Sequence, residues 1–137
     1  MIDWAKMTGE LKRDEGFRAC VYQCTAGKQT VGYGHNLEDT PMSERVAEIL
    51  LIADYMLIYE QLCEFDWFLS LDDLRKRVII NMAYNLGVTG VLKFKKMIEA
   101  IHAKDYQWAA DEMVDSRWYQ QVGDRAVRLE NMMRDGA

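Results

Sequence analysis

The segment from Asp14 to His35 constrains the fold of this chain most, because its pattern changes there from helical to strand-like. The segment reads DEGFRACVYQCTAGKQTVGYGH. Residues 17–22 and 29–33 are rich in β-branched and aromatic side chains and predict two short strands, separated by a glycine-containing turn. The segment therefore predicts a β-hairpin, with Cys24 at its turn and Thr30 on its return strand.

A helix precedes the hairpin and brings Glu15 to its edge. Asp3 is the predicted N-cap, and the helix is expected to end near Gly16, a residue suited to a left-handed terminator. Helical spacing places four side chains on one face: Trp4, Thr8, Leu11 and Glu15. Glu15 is therefore expected to follow the apolar stripe inward or into a cleft. The alternative is a solvated carboxylate at a helix end.

The rest of the chain predicts helices, so the expected fold class is α+β and mostly α. Their starts are indicated by capping residues: Ser43, Ser70 with Asp73, Thr89, Asp105 and Asp124. The helix after Ser43 is expected to run to about Glu64 with a broad apolar face. The next is expected to end at Gly87, and the helix from Thr89 to continue to about Ala103.

Composition excludes several classes of protein. A chain of 137 residues indicates one domain. The net charge is −5, and residues 38–73 hold ten acidic residues and one basic residue, which argues against nucleic acid as a partner. No apolar run is long enough to span a bilayer, and no signal peptide is visible. We therefore expect that the protein does not insert into a membrane. We also expect it to be kept in the cytoplasm until it is released.

The cysteines do not predict a disulfide framework. The chain has three, an odd number. On an extended strand Cys20 and Cys24 would lie roughly 13 Å apart, too far to bridge. No Cys/His cluster has the spacing of metal ligands, so we expect no metal and no cofactor.

Three features together resemble a known family. Cys24 follows Glu15 by nine residues and Thr30 follows Cys24 by six, while the strings IINMAYNLG and SRWY occur later. This arrangement is similar to the phage-type lysozymes, glycoside hydrolase family 24, in which an Asp occupies the position of Cys24. The resemblance implies a lysozyme-like fold with a hairpin lobe (about 16–42), a connector helix (about 43–64) and a helical lobe (about 65–137 plus the N-terminal helix), with a cleft between the lobes.

The resemblance also implies roles for individual residues. Glu15 would be the general acid, Thr30 would orient the hydrolytic water, and Cys24 would occupy the third catalytic position. Four residues would line the saccharide cleft: His35, Leu37, Tyr84 and Asn85. Arg125 with Asp14 would hold Glu15 in a charge network, and Asp54 would pair with His35.

Each assignment has a plainer alternative. Arg125 could be an ordinary surface arginine, Tyr84 and Asn85 a helix end packed for stability, and Cys24 a silent residue packed in the turn. A neutral thiol cannot stabilise positive charge on a sugar, whereas an ionised thiol could stabilise it or help to position water.

The function implied by the resemblance is a muramidase that hydrolyses the β-1,4 bond between N-acetylmuramic acid and N-acetylglucosamine in peptidoglycan. An inverting mechanism is expected, because position 24 lacks a carboxylate. A phage endolysin fits this reading: a monomer in the host cytoplasm that reaches the cell wall after a holin-type partner, without direct contact, permeabilises the membrane. The alternatives are a non-catalytic peptidoglycan-binding module and a cysteine hydrolase using Cys24 and His35. The hydrolase lacks a clear third orienting group and leaves Glu15 unexplained.

Overall fold

The computed structural model describes residues 1–136, and within them eight helices and three strands confirm the α+β, mostly helical class. The elements are α1 (Trp4–Glu15), β1 (Arg18–Gln23), β2 (Gln29–Gly32), β3 (His35–Asn36), α2 (Glu44–Leu62), α3 (Asp66–Leu69), α4 (Asp73–Leu92), α5 (Lys95–His102), α6 (Tyr106–Val114), α7 (Arg117–Val122) and α8 (Asp124–Asp135). They fall into two compact units, Met1–Ile49 and a second unit from Leu50 onward. Helix α1 belongs to the first unit with the sheet, whereas the sequence analysis grouped it with the helical lobe.

The sheet of the first unit has three strands, not two. The order is β1-β2-β3, and both pairs are antiparallel. The predicted hairpin is confirmed, with Gln23 opposite Gln29 and an irregularity in β1 between Arg18 and Tyr22. The third strand was missed because two residues, His35 and Asn36, are too few for an alternating pattern.

Helix α1 begins and ends where the capping residues predicted. The side chain of Asp3 accepts a hydrogen bond from the Lys6 backbone N–H at 3.1 Å. Gly16 follows the helix with φ 69° and ψ 154°, a positive-φ terminator that is not left-handed helical. The prediction that the apolar face of α1 points inward is wrong, because Trp4 is 68% exposed and no residue of α1 is buried.

A hydrophobic core lies in the second unit. Its largest fully buried side chains come from six of its helices: Leu62, Phe68, Val78, Ile79, Met82, Val91, Met97, Ile101, Met113, Leu129 and Met133. Trp118 adds an aromatic contact with Phe94, with ring centroids 6.2 Å apart at 83°. Helices α4, α6 and α8 each bury one face in this core.

Helix α2 carries many apolar residues but buries only Leu62. The Ser43 hydroxyl accepts a hydrogen bond from the Val46 N–H at 3.3 Å, as the predicted cap requires. Side chains of the predicted apolar face are exposed, including Ile49 at 59% and Leu57 at 60%. Within residues 1–136, no helix combines the length and apolar character needed to cross a membrane.

The capping residues predicted for α4 and α8 are wrong. The N-cap of α4 is Asp72, whose carboxylate accepts from the Arg75 N–H at 3.0 Å. Ser70 instead ends α3, a short helix that the sequence did not predict. Asp124 lies in the first turn of α8, after the N-cap Gly123.

The boundary between α4 and α5 also differs from the prediction. Gly87 does break the helical conformation, with φ 77° and ψ 158°, but helical hydrogen bonding resumes and α4 runs on to Leu92. The helix expected from Thr89 to Ala103 is consequently divided, and α5 begins at Lys95. Asp105 caps α6 as predicted, accepting from the Trp108 N–H at 3.0 Å.

Candidate active site

Glu15 ends α1 and its side chain lies against the turn between β2 and β3. The residue is exposed. A Cβ built on Gly34 would lie 2.5 Å from Glu15 Oε2 and 2.9 Å from Glu15 Cδ, and Gly34 has φ 71°. Only glycine allows both this backbone conformation and this approach. The turn thus brings Glu15 to the sheet, with its carboxylate open to solvent.

Cys24 and Thr30 lie at the turn end of the hairpin. The turn is closed by two backbone bonds, from Cys24 N to Lys28 O at 2.9 Å and from Gly27 N to Cys24 O at 2.8 Å. Thr30 is only 3% exposed and lies opposite Tyr22 on β1 and Asn36 on β3. Its hydroxyl donates to Lys28 O at 2.9 Å, which fixes the side chain in the sheet.

The hairpin turn holds the Cys24 thiol in an environment that favours its ionised form. The backbone N–H of Lys28, and then that of Ala26, lowers the pKa of Cys24 by hydrogen bonding to the sulfur. Burial partly opposes this effect, while the nearby Thr30 hydroxyl lowers the pKa further. Cys24 and Thr30, which the resemblance assigns to different catalytic roles, thus belong to the same hairpin.

His35 and Leu37 continue the chain through β3. His35 pairs with Val31, and its Nε2 is shielded from solvent without a hydrogen-bond partner among the residues of its own unit. The Leu37 N–H donates to Gln29 O at 2.9 Å, and its side chain is 38% exposed. His35 therefore lies on the same small sheet as Thr30, and Leu37 follows directly after β3.

The loop after β3 is held by polar contacts. Glu38 accepts a hydrogen bond from the Gln29 N–H at 2.6 Å. Asn36 Oδ1 accepts from the backbone N–H groups of Glu38 and Asp39, each at 3.0 Å. These bonds tie the loop to β2, so the backbone around His35 and Leu37 is locally braced.

In the second unit, Arg125 is held by a residue that the sequence analysis did not single out. The Arg125 guanidinium donates to Asn81 Oδ1 at 2.8 Å and to the Asn81 carbonyl at 3.2 Å. Tyr84, Asn81 and Arg125 line a cavity of about 500 Å³ together with Leu51 and Tyr55. The signal for Asn81 was its place in the IINMAYNLG string, one helical turn before Asn85.

Asn85, predicted to bind substrate, makes a structural contact. Its Oδ1 accepts a hydrogen bond from Trp118 Nε1 at 2.9 Å, which joins α4 to α7. The side-chain amide N–H groups of Asn85 are not used in this bond. The substrate-binding role of Asn85 stays a prediction, in which only the amide N–H groups are free of this contact.

The predicted site residues are divided between the two units. Those of the first unit are Asp14, Glu15, Cys24, Thr30, His35 and Leu37, and those of the second are Asp54, Tyr84, Asn85 and Arg125. Asp14 accepts from Arg13 Nε at 3.4 Å, and Asp54 is an exposed residue of α2. Among residues 1–136, no group of three or more metal-ligating side chains comes together.

Comparison with known proteins places the chain in a family. The phage lysozyme family model matches residues 12–134. A probable T4-type lysozyme 1 of Dictyostelium discoideum is 31% identical, covering 92% of both chains. An endolysin of Acyrthosiphon pisum secondary endosymbiont phage 1 is 30% identical over 76% of this chain and 72% of its own. The pre-baseplate central spike protein Gp5 of Enterobacteria phage T4 is 30% identical over 95% of this chain, which spans 28% of that protein. The chain therefore belongs to the phage lysozyme family and is a lysozyme-type hydrolase.

Proposed function

We propose that this chain hydrolyses the β-1,4 bond between N-acetylmuramic acid and N-acetylglucosamine in bacterial peptidoglycan, with Glu15 as the general acid. One observation carries the proposal. An exposed carboxylate lies against Gly34, in the turn that follows β2, and β2 carries Thr30 beside the Cys24 thiol. A carboxylate, a thiol with a lowered pKa and a hydroxyl are thus placed on one small unit.

The chemistry follows from the difficulty of expelling a sugar oxygen. Protonated Glu15 would donate its proton to the glycosidic oxygen as the bond breaks. Positive charge then develops on the ring carbon. The ionised Cys24 sulfur would stabilise that charge, and the Thr30 hydroxyl would help to orient the attacking water.

Replacing Glu15 by Gln is the decisive test of this proposal. The change keeps size and hydrogen bonding but removes the proton donor, so wall hydrolysis is expected to fall about 10²–10⁴-fold. Because Glu15 is exposed, the free energy of unfolding should stay within ~0.5 kcal/mol of the wild-type value. Glu10→Gln is a matched control at another exposed carboxylate of α1. Zymography on purified cell walls that cleared equally with Glu15→Gln and wild type would reject the mechanism.

Cys24 can be tested by a series of substitutions. Cys24→Asp supplies the carboxylate that the family usually has and is expected to keep or increase activity. Cys24→Ser hardly ionises and is expected to retain some activity, and Cys24→Ala is expected to retain less. Equal rates for wild type and Cys24→Ala would make Cys24 a packing residue and leave the chemistry to Glu15 and Thr30.

The stereochemistry of the product tests the same assignment. Without a carboxylate at position 24, no glycosyl ester can form there, so direct attack by water would invert the anomeric carbon. NMR of the freshly released reducing end is expected to show the α-anomer first. Initial appearance of the β-anomer would contradict the proposed route.

The cellular role we propose is that of an endolysin. The protein would act as a monomer, kept in the host cytoplasm until a holin-type partner opens the membrane without touching it. Support comes from the endolysin among the relatives. Expression together with a holin should lyse cells, while expression alone should not.

A non-catalytic peptidoglycan-binding module is the second candidate, favoured by the absence of a carboxylate at Cys24. It predicts that wild-type protein sediments with purified walls and releases no reducing ends from them. Release of reducing ends by wild type but not by Glu15→Gln would exclude this candidate.

A further inference from the structure

A cavity of about 510 Å³ in the second unit is unusual for an acidic protein, because more basic than acidic side chains line it. Four basic residues line it: Lys93, Lys95, Lys96 and Arg117. All four are exposed, whereas the whole chain carries a net charge of −5. The cavity lies between the start of α5 and the connection from α6 to α7, apart from the cavity next to Arg125.

None of these four cations forms an ion pair with a residue in the described part of the chain. Two carboxylates, Glu112 and Asp115, also line the cavity, yet no nitrogen of the four comes within ion-pairing distance of them. Glu112 is engaged elsewhere, since it accepts a hydrogen bond from Trp108 Nε1 at 3.1 Å. The local formal charge of the lining is therefore +2, and none of its four cations is neutralised by an ion pair with a described residue.

The positions of two lysines cost the fold stability. Lys95 and Lys96 are the first two residues of α5, where the positive end of the helix dipole disfavours a cation. The N-cap residue Phe94 provides no side-chain hydrogen bond to offset this. Helix stability alone thus gives no reason for the basic residues, whereas attraction of an anion does.

The base of the cavity is apolar. Trp118 and Met97 are buried, and Phe94 packs edge-on against the Trp118 ring. A buried apolar base below exposed cations suits a flexible polymer that carries negative charges at intervals along an uncharged backbone. It suits a free small anion less, because no buried polar side chain closes around the cavity.

We propose that this cavity binds the anionic groups of a cell-wall polymer and so orients the enzyme on its insoluble substrate. The inference rests on the proposed function, since it takes the bacterial wall as substrate. Phosphate and carboxylate groups share the required charge. Binding here lowers the dissociation constant for the wall and leaves cleavage of a short neutral oligosaccharide unchanged.

The test compares two triple variants in an inactive Glu15→Gln background, so that the wall stays intact. In the first, Lys93, Lys95 and Lys96 are changed to Gln. In the matched control, the exposed cations Lys6, Lys104 and Arg128, outside the cavity, are changed to Gln, which alters the net charge equally. Binding is measured by sedimentation with purified walls at low and at moderate salt.

The cavity variant is expected to bind at least about tenfold more weakly at low salt, and the control less than about twofold more weakly. Walls treated with hydrofluoric acid, which removes phosphodiester polymers, and walls with amidated carboxylates identify the source. The difference in binding between the cavity variant and the control should disappear on one of these two kinds of treated wall.

Equal binding of the two triple variants, or a difference that survives both wall treatments, would overturn the inference. Catalysis is tested separately, by measuring wall hydrolysis with the protein that keeps both Glu15 and Cys24. Failure of hydrolysis with a large difference in binding would reject the proposed function, while normal hydrolysis with equal binding would reject only the cavity.

Discussion

The two units of this protein differ in how they hold their shape. Every buried hydrophobic side chain of the described residues lies between Leu62 and Met133, in the second unit. Among the described residues of the first unit, only Thr30 is buried, and it is polar. The first unit is instead organised by strand pairing, capped ends and glycine turns.

This difference separates stability from chemistry. The residues we assign to catalysis, Glu15, Cys24 and Thr30, lie where apolar burial contributes little. A region with few buried apolar contacts opens at lower free energy than a packed core. Substitutions in the first unit should therefore change activity more than global stability, and substitutions in the second unit should do the reverse.

The largest effect on stability is expected from Phe68→Ala. Phe68 is 0% exposed and contacts Tyr59 and Trp67, with ring centroids 6.0 and 6.2 Å away. Truncation leaves a cavity and should lower the free energy of unfolding by about 3–5 kcal/mol. Urea denaturation followed by circular dichroism measures this. A loss below ~1 kcal/mol would show that the core does not carry the stability.

Gly34→Ala is expected to lower activity more than stability, the opposite of Phe68→Ala. The added Cβ would lie 2.5 Å from Glu15 Oε2, and alanine is disfavoured at φ 71°. We expect a stability loss of about 1–2 kcal/mol and an activity loss of roughly 10–100-fold, because the carboxylate is displaced.

Gly9→Ala is the control for that substitution. Gly9 lies within α1 with nothing within 4 Å of an added Cβ and no positive φ. It should gain up to ~1 kcal/mol from helix propensity and keep full activity. If Gly34→Ala were as active as Gly9→Ala, the contact with Glu15 would have no catalytic importance.

A moderate effect is expected from the pH dependence of Cys24. Hydrogen bonds from Lys28 and Ala26 lower its pKa, so alkylation by iodoacetamide should have its midpoint below that of a short cysteine peptide, about 8.5. The measurement requires Cys20→Ser and Cys63→Ser. A midpoint at or above the peptide value would remove the argument for a thiolate.

The lowered pKa of Cys24 also predicts how the stability of the fold changes with pH. Because the folded pKa is the lower one, ionisation of Cys24 stabilises the fold above the unfolded pKa. That stabilisation is lost as pH falls through the folded pKa. The stability of Cys24 protein relative to Cys24→Ser should therefore rise with pH across this interval, as thermal unfolding at several pH values can show.

The smallest effect is expected from Trp4→Ala in the first unit. Trp4 is 68% exposed, so its loss should change the free energy of unfolding by less than ~0.5 kcal/mol. Chemical denaturation of the two proteins side by side is sufficient. A loss above ~2 kcal/mol would mean that the apolar stripe of α1 is covered in solution.

The sequence by itself determined the elements whose signals are local. Asp3 and Asp105 cap helices through bonds to N–H groups three residues away. The hairpin was predictable because its strands and turn lie next to each other in the chain. The spacing of Glu15, Cys24 and Thr30, together with the strings IINMAYNLG and SRWY, also suggested the family that the later comparison confirmed.

Only the tertiary structure decided which side chains meet and which are buried. Asn85 receives its hydrogen bond from Trp118, 33 residues away, and Arg125 is held by Asn81 across 44 residues. The stripe of α1 had the periodicity of a buried face yet remains exposed, since periodicity shows that a face exists and not that anything covers it. Contacts between distant segments depend on packing that no local pattern encodes, which is why Gly34 beside Glu15 emerged only from the folded chain.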